Sequence, residues 1–172
     1  GIKKRLIERG FEVTEHITER IGHGAEIAHQ LRIDIESKND DSPLVVAVGG
    51  DGIVHEVASG LRGSTIPLGQ IPFGSGNDCC ITHGISRDNL NQAIDVLVNG
   101  VDRSCGAWRL EGFAAPTLDD YPSPPSNHWD GEASNEGQTV RWVFLESDAG
   151  ITSEISRAKL RRAKWIKGPK KY

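Results

Sequence analysis

In residues 44–57, LVVAVGGDGIVHEV, the carboxylate of Asp51 stands between glycines on both sides. A β-branched apolar run that ends in glycine and restarts at helical spacing reads as a buried strand turning into a helix. At such a junction the first N–H groups of the helix and the positive end of its dipole face the turn. Glycines let the backbone approach a phosphate with no Cβ in the way. A carboxylate in that place repels phosphate unless it holds a divalent cation or takes a proton from an attacking hydroxyl. Asp51 therefore makes sense where phosphoryl groups are transferred and not merely held. On these four residues alone the simpler reading, a helix-capping Asp in a glycine-rich turn, stays open.

A second turn of the same kind, PFGSGND (72–78), also follows a strand pattern and opens a helix pattern. Neither turn completes GxxxxGK[ST] or GxGxxG, which argues against a P-loop and a dinucleotide fingerprint.

The elements that would position these turns follow from periodicity. Ile2, Leu6 and Ile7 form a helical stripe that ends at Gly10. Residues 12–17, EVTEHI, alternate as a strand, and Thr18 precedes a helix over ERIGHGAEIAHQL. PLVVAV (43–48) is a strand buried on both faces. Val54, Val57 and Leu61 mark the next helix, closed by Gly60 and Gly63. IPLGQIPF is another strand, and DNLNQAIDVLVNG is a helix with Asp88 as its cap and Gly100 as its stop. Strands alternating with helices over residues 1–100 predict an α/β domain with a largely parallel sheet. From about 101 the character changes. VDRSCGAWRL and TVRWVFLES read as strands, and Trp142, Phe144 and Leu145 read as sheet core. Between them, residues 111–139 hold four prolines and six acids with no Lys or Arg, which predicts a long exposed insertion.

No run reaches the ~20 apolar residues of a membrane span, and no leader pattern is visible, so a cytoplasmic protein is expected. The chain lacks Met even at position 1 and opens on a helix tail. It reads as a piece of something longer. Cys79, Cys80 and Cys105 suit neither a disulfide framework nor a zinc site, and the adjacent pair reads as buried hydrophobes. The histidines, His55 included, read as surface or packing groups. Residues 154–172 carry eight Lys/Arg against Glu154, although the whole chain is −4. A basic tail on an acidic body suits phosphate or an anionic membrane surface. No aromatic-and-basic RNA motif accompanies it, so nucleic acid is not expected as a partner.

The two turns in order, GGDGIVHEVASGL and IPFGSGND, resemble the diacylglycerol kinase catalytic domain family, which includes bacterial diacylglycerol kinases and sphingosine and ceramide kinases. NAD kinase and phosphofructokinase are more distantly similar. TERIGHGAEIA and KWIKGPKKY resemble two further family segments. The resemblance implies a three-layer nucleotide-binding domain with a parallel sheet, followed by the start of a β-rich lipid-binding domain over 101–172. It implies an ATP-dependent lipid kinase acting with Mg²⁺ at a membrane surface, as a peripheral protein with no transmembrane segment.

By the same resemblance, Gly49, Gly50 and Gly52 line the ATP phosphates, and Asp51 is the catalytic acid residue or metal ligand. Thr18 contacts nucleotide, Glu56 is a helix acid near the site, and Gly74, Ser75, Gly76 and Asn77 form the second nucleotide turn. Arg162, Lys164 and Lys171 are the candidate basic contacts. Ile53 departs from the Thr that often follows GGDG. The family's first strand is absent, and the DGE at 130–132 imitates a family motif out of place and is read as coincidence. A kinase for a soluble acceptor and a non-catalytic nucleotide- or membrane-binding module are the alternatives.

Overall fold

The computed structural model describes residues 1–38, 43–113, 131–133 and 138–144. The order is α1 (Ile2–Glu8), α2 (His23–Lys38), β1 (Val45–Gly49), α3 (Asp51–Gly60), β2 (Leu68–Pro72), α4 (Asp78–Thr82), α5 (Leu90–Asn99), β3 (Trp108–Phe113), β4 (Gly131–Ala133) and β5 (Gln138–Val143). The α/β class and the parallel sheet are as expected. β1 and β2 pair in parallel from Val45↔Leu68 to Gly49↔Pro72, with α3 as the crossover.

Strand alternation sends side chains to two separate cores. On one face Ala47, with Val45 and Leu68, packs against Ala28 of α2, Val54, Val57 and Leu61 of the α3 region, and Cys79 of α4. On the other, Ile71, fully buried, meets Leu6 of α1 and Ile94 of α5, with Val46 and Leu97 at the edge. Burying an isoleucine that completely contributes roughly 1.5–3 kcal/mol. Arg9, capping the end of α1, bonds Asp95 of α5 at 2.8 Å, on the outside of the second cluster.

Three local expectations are corrected. Residues 11–19 form no strand: Phe11 and Val13 join the Leu6 cluster, but no strand among the described residues forms a ladder with this stretch. A weak alternation supplies packing, whereas a strand also needs a ladder partner. The helix expected from Glu19 starts at His23, because the preceding turn carries Gly22 at φ +81°. Asn89, not Asp88, caps α5, its side chain accepting from Gln92 N–H at 3.1 Å.

Gly60 lies inside α3 and has a packing role. A Cβ there would stand 2.3 Å from Ala25 O and 2.7 Å from Ala28 Cβ, so its absence sets how closely α2 and α3 cross. Gly63, at φ +78°, makes the turn.

In the C-terminal part, β5 is central to an antiparallel sheet of order β3-β5-β4. Parts of the acidic stretch are therefore strand: β3 continues through Phe113, and Gly131–Ala133 pairs with β5. Backbone pairing does not require apolar side chains, which is why composition alone read the stretch as loop. The side chain of Trp142, all of Leu145, and the basic tail lie outside the described residues.

Candidate active site

Because β1 and β2 run in parallel and end level, both glycine turns leave the same end of the sheet. This is the end where α/β folds place ligands. Phe73 N–H donates to Gly49 O at 2.9 Å, tying the second turn to the first. The turns then meet backbone to backbone. A Cβ on Gly74 would stand 2.4 Å from Gly50 Cα, and one on Gly50 would stand 3.0 Å from Gly74 Cα. No side chain fits at Gly74 while the two turns stay in contact, and one at Gly50 would have to push Gly74 back. At Gly52, by contrast, an added Cβ meets nothing within 4 Å. The open face of the turn is there.

Asn77 builds the second turn. It sits in the left-handed region at φ 57°, tolerable for Asn. Its buried side chain accepts from Gly74 N–H and donates Nδ2–H to Gly74 O, both at 2.8 Å. Ser75 is exposed and Gly76 half-buried at the lip of this turn.

Asp51 opens α3, half-buried. Its Oδ1 accepts from Cys79 N–H of α4 at 3.0 Å, which locks the carboxylate between the two turns. Oδ2 points across Gly76, 3.1 Å from where a Cβ would be. Asp78, which the sequence reading passed over, opens α4 as Asp51 opens α3, and its Oδ2 lies 3.5 Å from the same point. The signal was visible in hindsight, since GGD and GND both place an Asp directly after a turn that starts a helix. Among the described residues no cluster of three or more His, Cys, Asp or Glu could hold a metal alone. One or two carboxylates completed by phosphate oxygens and water is the set that suits Mg²⁺.

Glu56 holds the start of α2, which lies beside Ile53 next to the first turn. Its Oε1 accepts from Gly22 N–H at 2.9 Å and its Oε2 from Gly24 N–H at 3.0 Å, capping α2 from the neighbouring helix. A carboxylate there also meets the positive end of the α2 dipole. Thr18 is exposed in the irregular segment ahead of that helix. Ile53 is explained by packing: its side chain fills the space beside Gly49 and Gly24, where added Cβ atoms would stand 2.3 and 2.6 Å from it. Cys79 and Cys80 are buried, as their adjacency suggested. Burial raises both thiols, that of Cys80 to about 11 with further contributions from Cys79 and Asp51. Arg162, Lys164 and Lys171 lie outside the described residues.

Comparison with known proteins agrees with this geometry. The family model of the diacylglycerol kinase catalytic domain matches residues 1–109. A diacylglycerol kinase of Mycobacterium tuberculosis (strain CDC 1551 / Oshkosh) is 34% identical over 111 residues, 64% of this chain and 34% of that protein. A diacylglycerol kinase of Bacillus subtilis (strain 168) is 29% identical over 113 residues, 64% of this chain and 35% of its own length. A sphingoid long-chain bases kinase 1 of Arabidopsis thaliana is 33% identical over 108 residues, covering 59% of this chain and 12% of that protein. The matched segment thus spans about a third of the length of the two bacterial relatives. With both turns, their order and the family match in agreement, the chain belongs to the diacylglycerol kinase catalytic domain family.

Proposed function

We propose that the full protein is an ATP-dependent lipid kinase that transfers the γ-phosphoryl group to the hydroxyl of a diacylglycerol or a sphingoid-type lipid. The observation that carries this reading is the Asp51 carboxylate, one oxygen fixed by Cys79 N–H and the other directed over Gly76 where the two glycine turns meet. The turns around Gly49, Gly50 and Gly52 and around Gly74–Asn77 cradle the phosphates, their backbone N–H groups supplying donors and no Cβ intervening. Asp51 and Asp78 would hold a Mg²⁺ ion, which would supply charge neutralisation for the triphosphate. Asp51 orients the acceptor hydroxyl and takes its proton as the oxygen attacks the γ-phosphorus and the bond to ADP breaks. Positioning and electrostatics carry most of the rate.

The helices on both faces of β1–β2 fit the central part of a three-layer domain, and β3-β5-β4 the opening of a second, β-rich one. Thr18 and the basic residues Arg162, Lys164 and Lys171 stay assigned to the nucleotide by family resemblance. No helix among the described residues is long and apolar enough to cross a membrane. Peripheral contact through the basic tail would bring the site to a bilayer-borne acceptor.

Asp51→Asn tests the reading. The amide oxygen still accepts from Cys79 N–H, so the fold is kept while the base and the charge are lost. Turnover of lipid acceptors by the full-length protein should fall about 10²–10⁴-fold, with ATP binding still measurable by calorimetry. Unchanged turnover would remove Asp51 from the mechanism.

A further inference from the structure

His55 follows Asp51 by four residues on α3, so the two side chains leave the same flank of the helix, about 6 Å apart along its axis. The other flanks of α3 are occupied. Val54 and Val57 are buried in the core shared with the sheet, Glu56 turns to α2, and Ile53 fills the space beside Gly24 and Gly49. Phe144, directly after β5, meets the flank of His55. The half-buried ring of Phe144 stands edge-on to the imidazole, with centroids 6.0 Å apart and planes at 65°. Since β5 is the central strand of the antiparallel sheet, this ring pair joins that sheet to the helix that carries Asp51.

We propose that His55 is a positioning residue for the acceptor. Its ring contact with Phe144 fixes where the β3-β5-β4 sheet stands beside Asp51, and so where the acceptor hydroxyl arrives. The inference rests on the kinase reading above and adds a residue to it. The contact acts through shape and the aromatic edge, with no proton transfer. The phosphate side is built by the two glycine turns, whose described contacts are with one another and with α3 and α4. Loosening the sheet should therefore move the acceptor and leave the nucleotide in place.

The test is a double-variant cycle in the full-length protein with mixed micelles of lipid acceptor. His55→Ala and Phe144→Ala should each raise the acceptor KM about 2- to 10-fold, the range an edge-on ring pair supports. The Kd for ATP should stay within twofold, and the double variant should be no worse than either single one. His55→Phe, which keeps a ring and has no titratable nitrogen, should restore the acceptor KM to within twofold. Additive effects, a His55→Phe variant as impaired as His55→Ala, or an equal rise in the ATP Kd would each overturn the proposal. Should the alanine variants not fold, His55→Leu and Phe144→Leu complete the same cycle.

A wild-type protein that phosphorylates no lipid would refute the kinase reading instead. Tryptic cleavage after Arg109 of β3 then still reports on the contact. It should accelerate in both alanine variants if the ring pair holds the sheet, and an unchanged rate would overturn the proposal.

Discussion

Gly52→Ala separates a phosphate cradle from a merely tight turn. At Gly52 an added methyl meets nothing within 4 Å, and the position lies in the first turn of α3 with helical backbone. The substitution therefore removes no protein contact and adds no clash. Helix propensity alone favours alanine over glycine, stabilising the fold by up to about 1 kcal/mol, partly by reducing the freedom of the unfolded chain. For a bound triphosphate the balance reverses. A methyl over the open face prevents phosphate oxygens from approaching the backbone N–H groups, and each lost charge-assisted hydrogen bond costs about 1.5–3 kcal/mol. One such bond predicts roughly a 10- to 100-fold weaker Kd for ATP. Urea denaturation of the full-length protein and calorimetry with Mg·ATP measure the two quantities on one sample. The expected signature is opposed: a denaturation midpoint equal to or above wild type, with binding weakened at least tenfold. If the variant binds ATP as tightly as wild type, phosphates do not approach over Gly52 and the cradle is misplaced.

Three other perturbations have signs that can be worked out. Gly74→Ala places a Cβ 2.4 Å from Gly50 Cα and 2.8 Å from Asn77 Oδ1, so it should destabilise by about 1–3 kcal/mol by overpacking and also weaken ATP binding; a wild-type urea midpoint would show that the turns do not touch. Gln70 is 5% exposed on β2, and neither Oε1 nor Nε2 has a partner among the described residues. Gln70→Leu should thus stabilise by about 1–3 kcal/mol, and a lower thermal midpoint than wild type would contradict this. The Cys80 thiol is raised from 9.0 to about 11, chiefly by burial. Its stabilising contribution is complete below pH 9 and lost as the pH rises through 11, because the unfolded thiol ionises first. Thermal scans from pH 8 to 11 should therefore decline more steeply for wild type than for Cys80→Ala, and parallel curves would exclude Cys80 as the cause.

Residue order by itself determined the strand–glycine–helix units, because each is a local pattern: β-branched runs for β1 and β2, apolar spacing for α3 and α5, glycines where the chain must turn. It also singled out Asp51 and both turns, since the chemistry of a carboxylate among glycines is legible without coordinates. Tertiary structure decided everything that depends on distance across the chain. Parallel pairing of Gly49 with Pro72 brought two turns over twenty residues apart into backbone contact, and only then did Asp78 join Asp51 at Gly76. The same packing joined Glu56 to the start of α2, gave Ile53 a structural reason, and set His55 against Phe144. A segment such as 12–17 shows the limit from the other side. Alternation is a property of one chain segment, but a strand exists only where a second segment offers its hydrogen bonds.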